Sequence, residues 1–446
     1  MEEFLYKKIP IWIVSLGAIF LIIGTILFAN HYRNRVSLVV DNIKQIIFHF
    51  HDAEIIDPSV GLRTKEQRFE GEKGFTFNYM PGTRPDLGYL LLNRYDRDLA
   101  MGVSELIDLN TQELIHQWHF DVDPLWEQTD IKTNLNDLKT NNNTKRFIPM
   151  HDILLENGNL ILRGQGYTPL LKSDLCSNLT IFKDDDLYHH SIEMDDDGNL
   201  WVPKVIEPKT VELGTVNFHD DAITQIAPDG SILFEKSVVQ IFKDNDMEAL
   251  VFGEVENDDP IHLNDIQPVL EDGPYWKKGD VFLSMRNQSM LMLYRPSTNK
   301  VLWYQQGPWL HQHDVDIVND HVIEVFDNNH ISTGIPGGRV KGSSQIDLYN
   351  FQTKTLSKPF KDVFNKLDIH TETRGRSDLV GENELFVEET NSGRLLQFDT
   401  NGSITWQHIA RESDNRVYSG GWSRLIPREL GDKVREKVKD VKCDQQ

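Results

Sequence analysis

One pattern constrains this 446-residue chain more than any other, an imperfect internal repeat that begins after about residue 85. His151 opens HDILLENGNLILRG, His190 opens HSIEMDDDGNLWVP, His262 opens HLNDIQPVLEDG, and His313 opens HDVDIVNDHVIEVFDNN. Arg374 and Arg376 stand in the same place ahead of SDLVGENELFVEETNSGRLLQFDTNGSITW. Each unit reads as a polar leading residue, a short apolar strand, an Asn-Gly, Asp-Gly or similar turn, and a second strand. Most continue through a third and fourth strand ending near a tryptophan, as at Trp118, Trp303 and Trp406. An opening unit without the histidine runs over residues 88–118. Four-stranded units spaced about 40–70 residues apart predict an all-β fold, a six-bladed β-propeller over residues 85–427, whose blades circle a central channel.

The repeat also makes a prediction about chemistry. The innermost strand of each blade lines the channel, so residues that lead those strands meet around one axis although they are far apart in sequence. His151, His190, His262, His313 and Arg374 or Arg376 are therefore expected at one mouth. Imidazoles with guanidiniums suit an anionic group bearing several oxygens, because cationic donors offset developing negative charge and a neutral histidine acts as base or nucleophile. A second reading is that these histidines hydrogen-bond neighbouring blades, with Asp152, Asp265 and Asp314 as structural partners. A metal site is disfavoured because no HxxxH or HExxH spacing on a helix is present. No cofactor is called for. Between Arg286 and Asn329, Gly307-Pro308-Trp309 forms a turn before His311 and His313. His311 is expected nearer the rim than His313, and Trp309 reads either as packing or as a stacking wall.

Outside the repeat, residues 9–29 carry no charge, enough at 1.5 Å rise to cross a hydrocarbon core of about 30 Å. The expected organisation is an N-terminal membrane anchor over 1–35, a juxtamembrane helix and linker over 36–84 with an amphipathic stretch at 36–50, the propeller, and a helical tail over 428–446. The placement that follows is an inner-membrane, single-pass protein with its large domain in the periplasm. With 46 Lys plus Arg against 69 Asp plus Glu, the formal charge of −23 opposes nucleic-acid binding. Cys176 and Cys443 define neither a disulfide framework nor a cysteine metal site.

HLNDIQPV, the arginine of LSMRNQSMLMLYRPSTNKVLW (Arg286), HQHDVDIV followed by FDNN, and SGRLLQFDTNGSITW together resemble the PAPS-independent arylsulfotransferase family over roughly residues 85–425. The resemblance implies a six-bladed propeller and transfer of a sulfuryl group from an aryl sulfate to another phenol, with a histidine carrying the group between them. His262 and His313 match family histidines, and Arg339, after the FDNN loop, is an unaligned candidate for the family arginine because the loop is longer here, giving His262, His313 and Arg339 as catalytic candidates. His151, His190, Arg286, Trp309, His311, Arg374 and Arg376 are candidates for substrate binding. The family nucleophile corresponds to Phe386–Thr390, where this chain has Phe-Val-Glu-Glu-Thr and no histidine between His370 and His408. The functional classes in play are an anchored sulfotransferase acting on phenolic or carbohydrate hydroxyls, and a non-catalytic propeller that binds an anionic or saccharide ligand or scaffolds envelope polysaccharide assembly. A lyase or hydrolase using histidine as a base is the third.

Overall fold

The computed structural model describes residues 58–84, 87–129, 135, 138–212, 218–252, 258–331, 342–381 and 383–443. The chain divides into two compact units, Met1–Val60 and Gly61–Gln446, and the second is an all-β propeller. The anchor expected over 1–35 and the amphipathic stretch at 36–50 lie outside the described residues. Among the described residues no helix is long and apolar enough to cross a membrane.

The strands form antiparallel sheets: three of four strands, one of five and one of eight. Two of the four-stranded sheets follow chain order from Leu263–Pro268 to Lys300–Gln306 and from Val315–Asn319 to Thr355–Ser357. The eight-stranded sheet holds two consecutive repeats joined at a seam where Lys204 pairs with Tyr188. The remaining four-stranded sheet closes the ring, because Arg424–Ile426 near the C-terminus pairs with Tyr89–Asp96 from the opening unit. That is why residues 88–118 show only three strands in sequence.

Apolar layers between successive sheets hold them together. Leu91, Leu106 and Trp118 pack against Leu160 and Leu162, and Trp201 and Ile223 against Leu283 and Met292. Leu291 meets Val315 and Val325, Phe326 meets Leu385 and Val387, and Phe386 with Trp406 returns to Leu90 and Leu92. At about 1.5–3 kcal/mol for each fully buried aliphatic or aromatic side chain, these interfaces are the main source of cohesion.

Two segments join the propeller that the repeat pattern did not include. Gly74–Phe77, placed by sequence in the linker, pairs with Ile404–Ile409 as a fifth, outer strand. Arg428–Asp440 forms a helix whose Val434 is buried against the Trp118 and Trp126 cluster. The two cysteines, unassigned by sequence, form a Cys176–Cys443 disulfide that fastens the end of this helix across a separation of 267 residues. The tail helix follows the closing strand directly, so the disulfide also secures ring closure. Cys443→Ser should lower unfolding stability by about 2–4 kcal/mol, the usual range for a native disulfide, while the β-type circular dichroism is retained. Urea titration of the oxidised, reduced and variant proteins checks this.

Candidate functional site

Inner strands have one edge facing the channel, where no further strand satisfies their backbone N–H groups. Side chains of the preceding blade take that place. Asp221 accepts from Leu263 N at 2.6 Å, Asp265 from Val315 N at 3.1 Å, and Asp314 from Ser377 N at 3.0 Å. His151 Nδ1 accepts from Ile192 N at 3.2 Å. Glu388 completes the ring, accepting from Trp422 N at 2.9 Å and Ser423 N at 2.6 Å. The tightness of this closure requires glycine at 421, where a Cβ would overlap the Pro149 carbonyl oxygen.

The residue that leads each inner strand adopts the left-handed backbone conformation. His151, His190, His262, His311, Arg374 and Trp422 have φ between 53° and 64°. Such values are uncommon outside glycine, with histidine enriched among the exceptions. This corrects the fifth repeat, since its leading residue is His311, and His313 lies two positions further along. Gln312 between them is buried and donates to the Met285 and Met290 carbonyls. His311 is the more exposed of the two histidines, and His313 is buried.

The rings converge. His190 lies 4.9 Å from His262 and 6.2 Å from His313 between centroids. Trp422 sits 5.3 Å from His151, 6.3 Å from His190 and 6.2 Å from His313, forming a buried floor beneath them. The repeat search missed Trp422 because it is not a histidine, although Ser-Gly-Gly-Trp carries the turn signal. It also missed His189, 2.7 Å from His190 between Nδ1 atoms, and Tyr167, edge-on to His189.

Local bonding separates the candidates. His313 Nδ1 donates to Asn328 Oδ1 at 2.7 Å, and its Nε2 accepts from Arg374 N at 2.8 Å. Both nitrogens are engaged, and burial with the nearby Arg286 charge holds its pKa well below the ordinary value. His313 is therefore a neutral strut rather than an open nucleophile. Burial, followed by the His262 charge, depresses His190 in the same way, and His311 falls to about 4 through burial and Arg286. His151 is fully buried, with Nε2 3.4 Å from Glu193, and serves the blade contact. Arg376 also departs from the anion-binding expectation: it bonds the Ser423 carbonyl at 2.8 Å and Asp378 at 3.0 Å, deep in the channel. Trp309 is 0% exposed within the apolar layer around Val315 and Leu291, so it packs rather than walls a ligand. Arg339 lies outside the described residues.

His262 is differently placed. Its Nδ1 hydrogen-bonds Asp259, and the side chain keeps 23% of its surface exposed. Burial would raise the Asp259 pKa, but the His262 hydrogen bond and charge bring it below the ordinary value. Arg286 starts beside it, donating its backbone N–H to the His262 carbonyl at 3.0 Å. On the strand Glu384–Glu389, Glu388 is fully buried in the closure. Glu389 bonds Arg68 at 3.0 Å and the His370 backbone N–H at 2.7 Å, and also pairs with Arg394. His370 itself lies 3.3 Å from the Arg68 guanidinium. Neither glutamate stands as an open base.

Two clefts distinguish the ends of the channel. Beside the imidazole mouth, a cleft of about 290 Å³ is lined by Arg63, Gln165, His370, Thr373, Arg374 and Asn391. At the far ends of the inner strands, a cleft of about 360 Å³ presents Asp196, Asp272 and Asp320. Between the ends lies a belt of carboxylates whose pKa values burial raises, Asp314 to about 6, Asp152 to about 7 and Glu324 to about 8. Arg63 and Arg374 thus stand beside the histidine mouth, and carboxylates line the channel beyond it.

Among known proteins, the family model described as Arylsulfotransferase (ASST) matches residues 151–411. No curated protein matches the sequence. Solved structures with some likeness include a protein of unknown function from Bacteroides caccae, at 10% identity and TM-score 0.43 over 73% of this chain and 94% of that one. A streptogramin B lyase aligns at 13% identity and TM-score 0.38 over 79% and 98%. TolB from Acinetobacter baumannii aligns at 7% and 0.41 over 76% and 65%.

The buried acids predict a specific pH response. Folded, Glu324 keeps its proton to about 8, whereas its ordinary value is 4.5, so its contribution to stability is full below 4.5 and lost as pH rises through about 8. Glu324→Gln mimics the protonated form and can still accept from Ser377 Oγ, which lies 2.6 Å from Glu324 Oε1. The melting temperature of the variant relative to wild type should therefore climb as pH rises across that window, and a flat difference would show Glu324 to be ionised throughout.

Proposed function

Because the chain belongs to the arylsulfotransferase family, matched over more than half its length, we propose that it transfers a sulfuryl group from an aryl sulfate ester to a phenolic or carbohydrate hydroxyl at the imidazole mouth. Family membership carries a sulfotransferase-like function in general. The observation that supports the finer reading is the Asp259–His262 pair set beside Arg286 and His190 at the histidine end of the channel. The Arg286 guanidinium supplies donors for sulfuryl oxygens, whose negative charge must be offset as the S–O bond breaks. Arg374, on the other side of His313, extends the cationic surface toward the adjoining cleft, where the acceptor hydroxyl would lie.

Counting the eight-stranded sheet as two four-stranded units beside the other four sheets supports a propeller of six blades. The Cys176–Cys443 disulfide favours an oxidising compartment. With the apolar stretch at residues 9–29, this supports a membrane-anchored propeller on the periplasmic side. The substrate is a small anionic molecule, and the negative net charge argues against nucleic acid as a partner.

One observation favours a second reading. The resemblance implies that the family nucleophile lies over Phe386–Thr390, where this chain has no histidine and Glu388 is committed to ring closure. A non-catalytic propeller would use the same mouth to bind an anionic or saccharide ligand. Incubation with a chromogenic aryl sulfate, with and without a phenol acceptor, separates the two. Sulfuryl transfer predicts phenol-dependent release, and Arg286→Gln should cut the rate by about 10²–10³. Binding of an aryl sulfate without any turnover would remove the sulfotransferase reading in favour of the second.

A further inference from the structure

We propose that His262, on the fourth blade, is the residue that carries the sulfuryl group, so that the covalent role has moved away from the sixth blade in this chain. The inference rests on the sulfuryl-transfer reading above. Three observations support it. Asp259 holds Nδ1 of His262, fixing the tautomer with Nε2 as the lone-pair nitrogen. The ring is partly exposed, whereas His151, His189 and His313 are buried. Three rival groups are committed: His313 uses both nitrogens, Glu388 holds the Trp422 and Ser423 amides, and His370 meets the Arg68 guanidinium.

In the first half-reaction, the Nε2 lone pair of His262 forms an N–S bond while the aryl O–S bond breaks. The phenolate leaves with the bonding pair and takes a proton from solvent. The imidazole becomes cationic at that moment, and the Asp259 carboxylate, paired to Nδ1–H, offsets the charge. In the second half-reaction, the acceptor hydroxyl oxygen attacks sulfur and gives up its proton to solvent. The N–S bonding pair returns to Nε2. One sulfate ester and one alcohol become another ester and a phenol, with no oxidant or reductant required. Asp259 acts through His262 and is a positioning residue, whereas His262 touches the reacting sulfur.

The test uses the full chain and an aryl sulfate labelled with radioactive sulfur, without acceptor. The protein is denatured at alkaline pH to spare an acid-labile N–S bond, digested, and the labelled peptide sequenced. The expected result is one SO₃ group on His262, removed by adding phenol. His262→Gln should lose the label. Asp259→Asn should slow labelling by about 10²-fold and alter the acidic limb of the pH–rate profile, because the imidazole has lost its counter-charge. Label on His311, His370 or any other residue, or full turnover by His262→Gln, would overturn the assignment while leaving sulfuryl transfer standing. Absence of turnover in the wild-type chain would overturn both. The labelling site is read in the wild-type protein, so the result does not depend on whether a variant folds.

Discussion

Most inner strands of this propeller leave amide N–H groups on the channel side that side chains of the preceding blade accept, whereas His151 N–H is taken by the Gly421 carbonyl. Satisfaction of those amides by side chains of the preceding blade is the constraint on which the rest of the molecule depends. Asp221, Asp265, Asp314 and Glu388 each reach across one interface to do this, with His151 serving the same purpose. An unmet buried amide costs about 1–3 kcal/mol, and each of these ties also fixes the register of one blade against the next. The apolar layers supply more cohesion, but they are non-directional and would tolerate small shifts. The carboxylate-to-amide ties do not.

That requirement shapes the site as well. The chain must turn sharply before each inner strand to bring the acceptor and the amide into line, and it does so through a left-handed residue. For a side chain other than glycine this conformation carries a penalty of about 1–2 kcal/mol, which the surrounding packing offsets. The turn gathers His190, His262, His311 and Arg374 at one end of the channel, with Trp422 as the floor among them. Further along the same strands lie the acids, and burial favours their neutral forms. A single structural device thus produces an imidazole-rich mouth with Arg374 beside it and a carboxylate-lined interior along one axis.

Much of this was legible in the chain. The recurrence of a histidine before a short strand, with an aspartate close behind, gave the all-β propeller and the convergence of the leading residues. It also offered the reading in which Asp265 and Asp314 are structural, and their hydrogen bonds bear that out. Other features were hidden for identifiable reasons. Two histidines at 311 and 313 made the fifth repeat ambiguous by two residues, and only the backbone conformation distinguishes the leading one. Trp422 broke the residue pattern while keeping the backbone pattern. Asp259 precedes its histidine by three residues, outside the strand on which the repeat was aligned. The disulfide joins residues that become neighbours only when the ring closes and the tail helix docks, and the outer strand at Gly74–Phe77 is too short to declare itself.

This chain has histidines at 262 and 313, where the resemblance leads one to expect them, and no histidine over Phe386–Thr390, where Glu388 holds the ring closure. On the proposed reading the chemistry centres on the Asp259–His262 pair, in which the carboxylate holds Nδ1. A crystal structure of the protein soaked with an aryl sulfate would test this most directly. The predicted result is a sulfate group within hydrogen-bond reach of His262 Nε2 and the Arg286 guanidinium, with the aryl ring directed out of the channel. A sulfate bound instead at the acidic end near Asp196 and Asp320, or held away from His262, would contradict it.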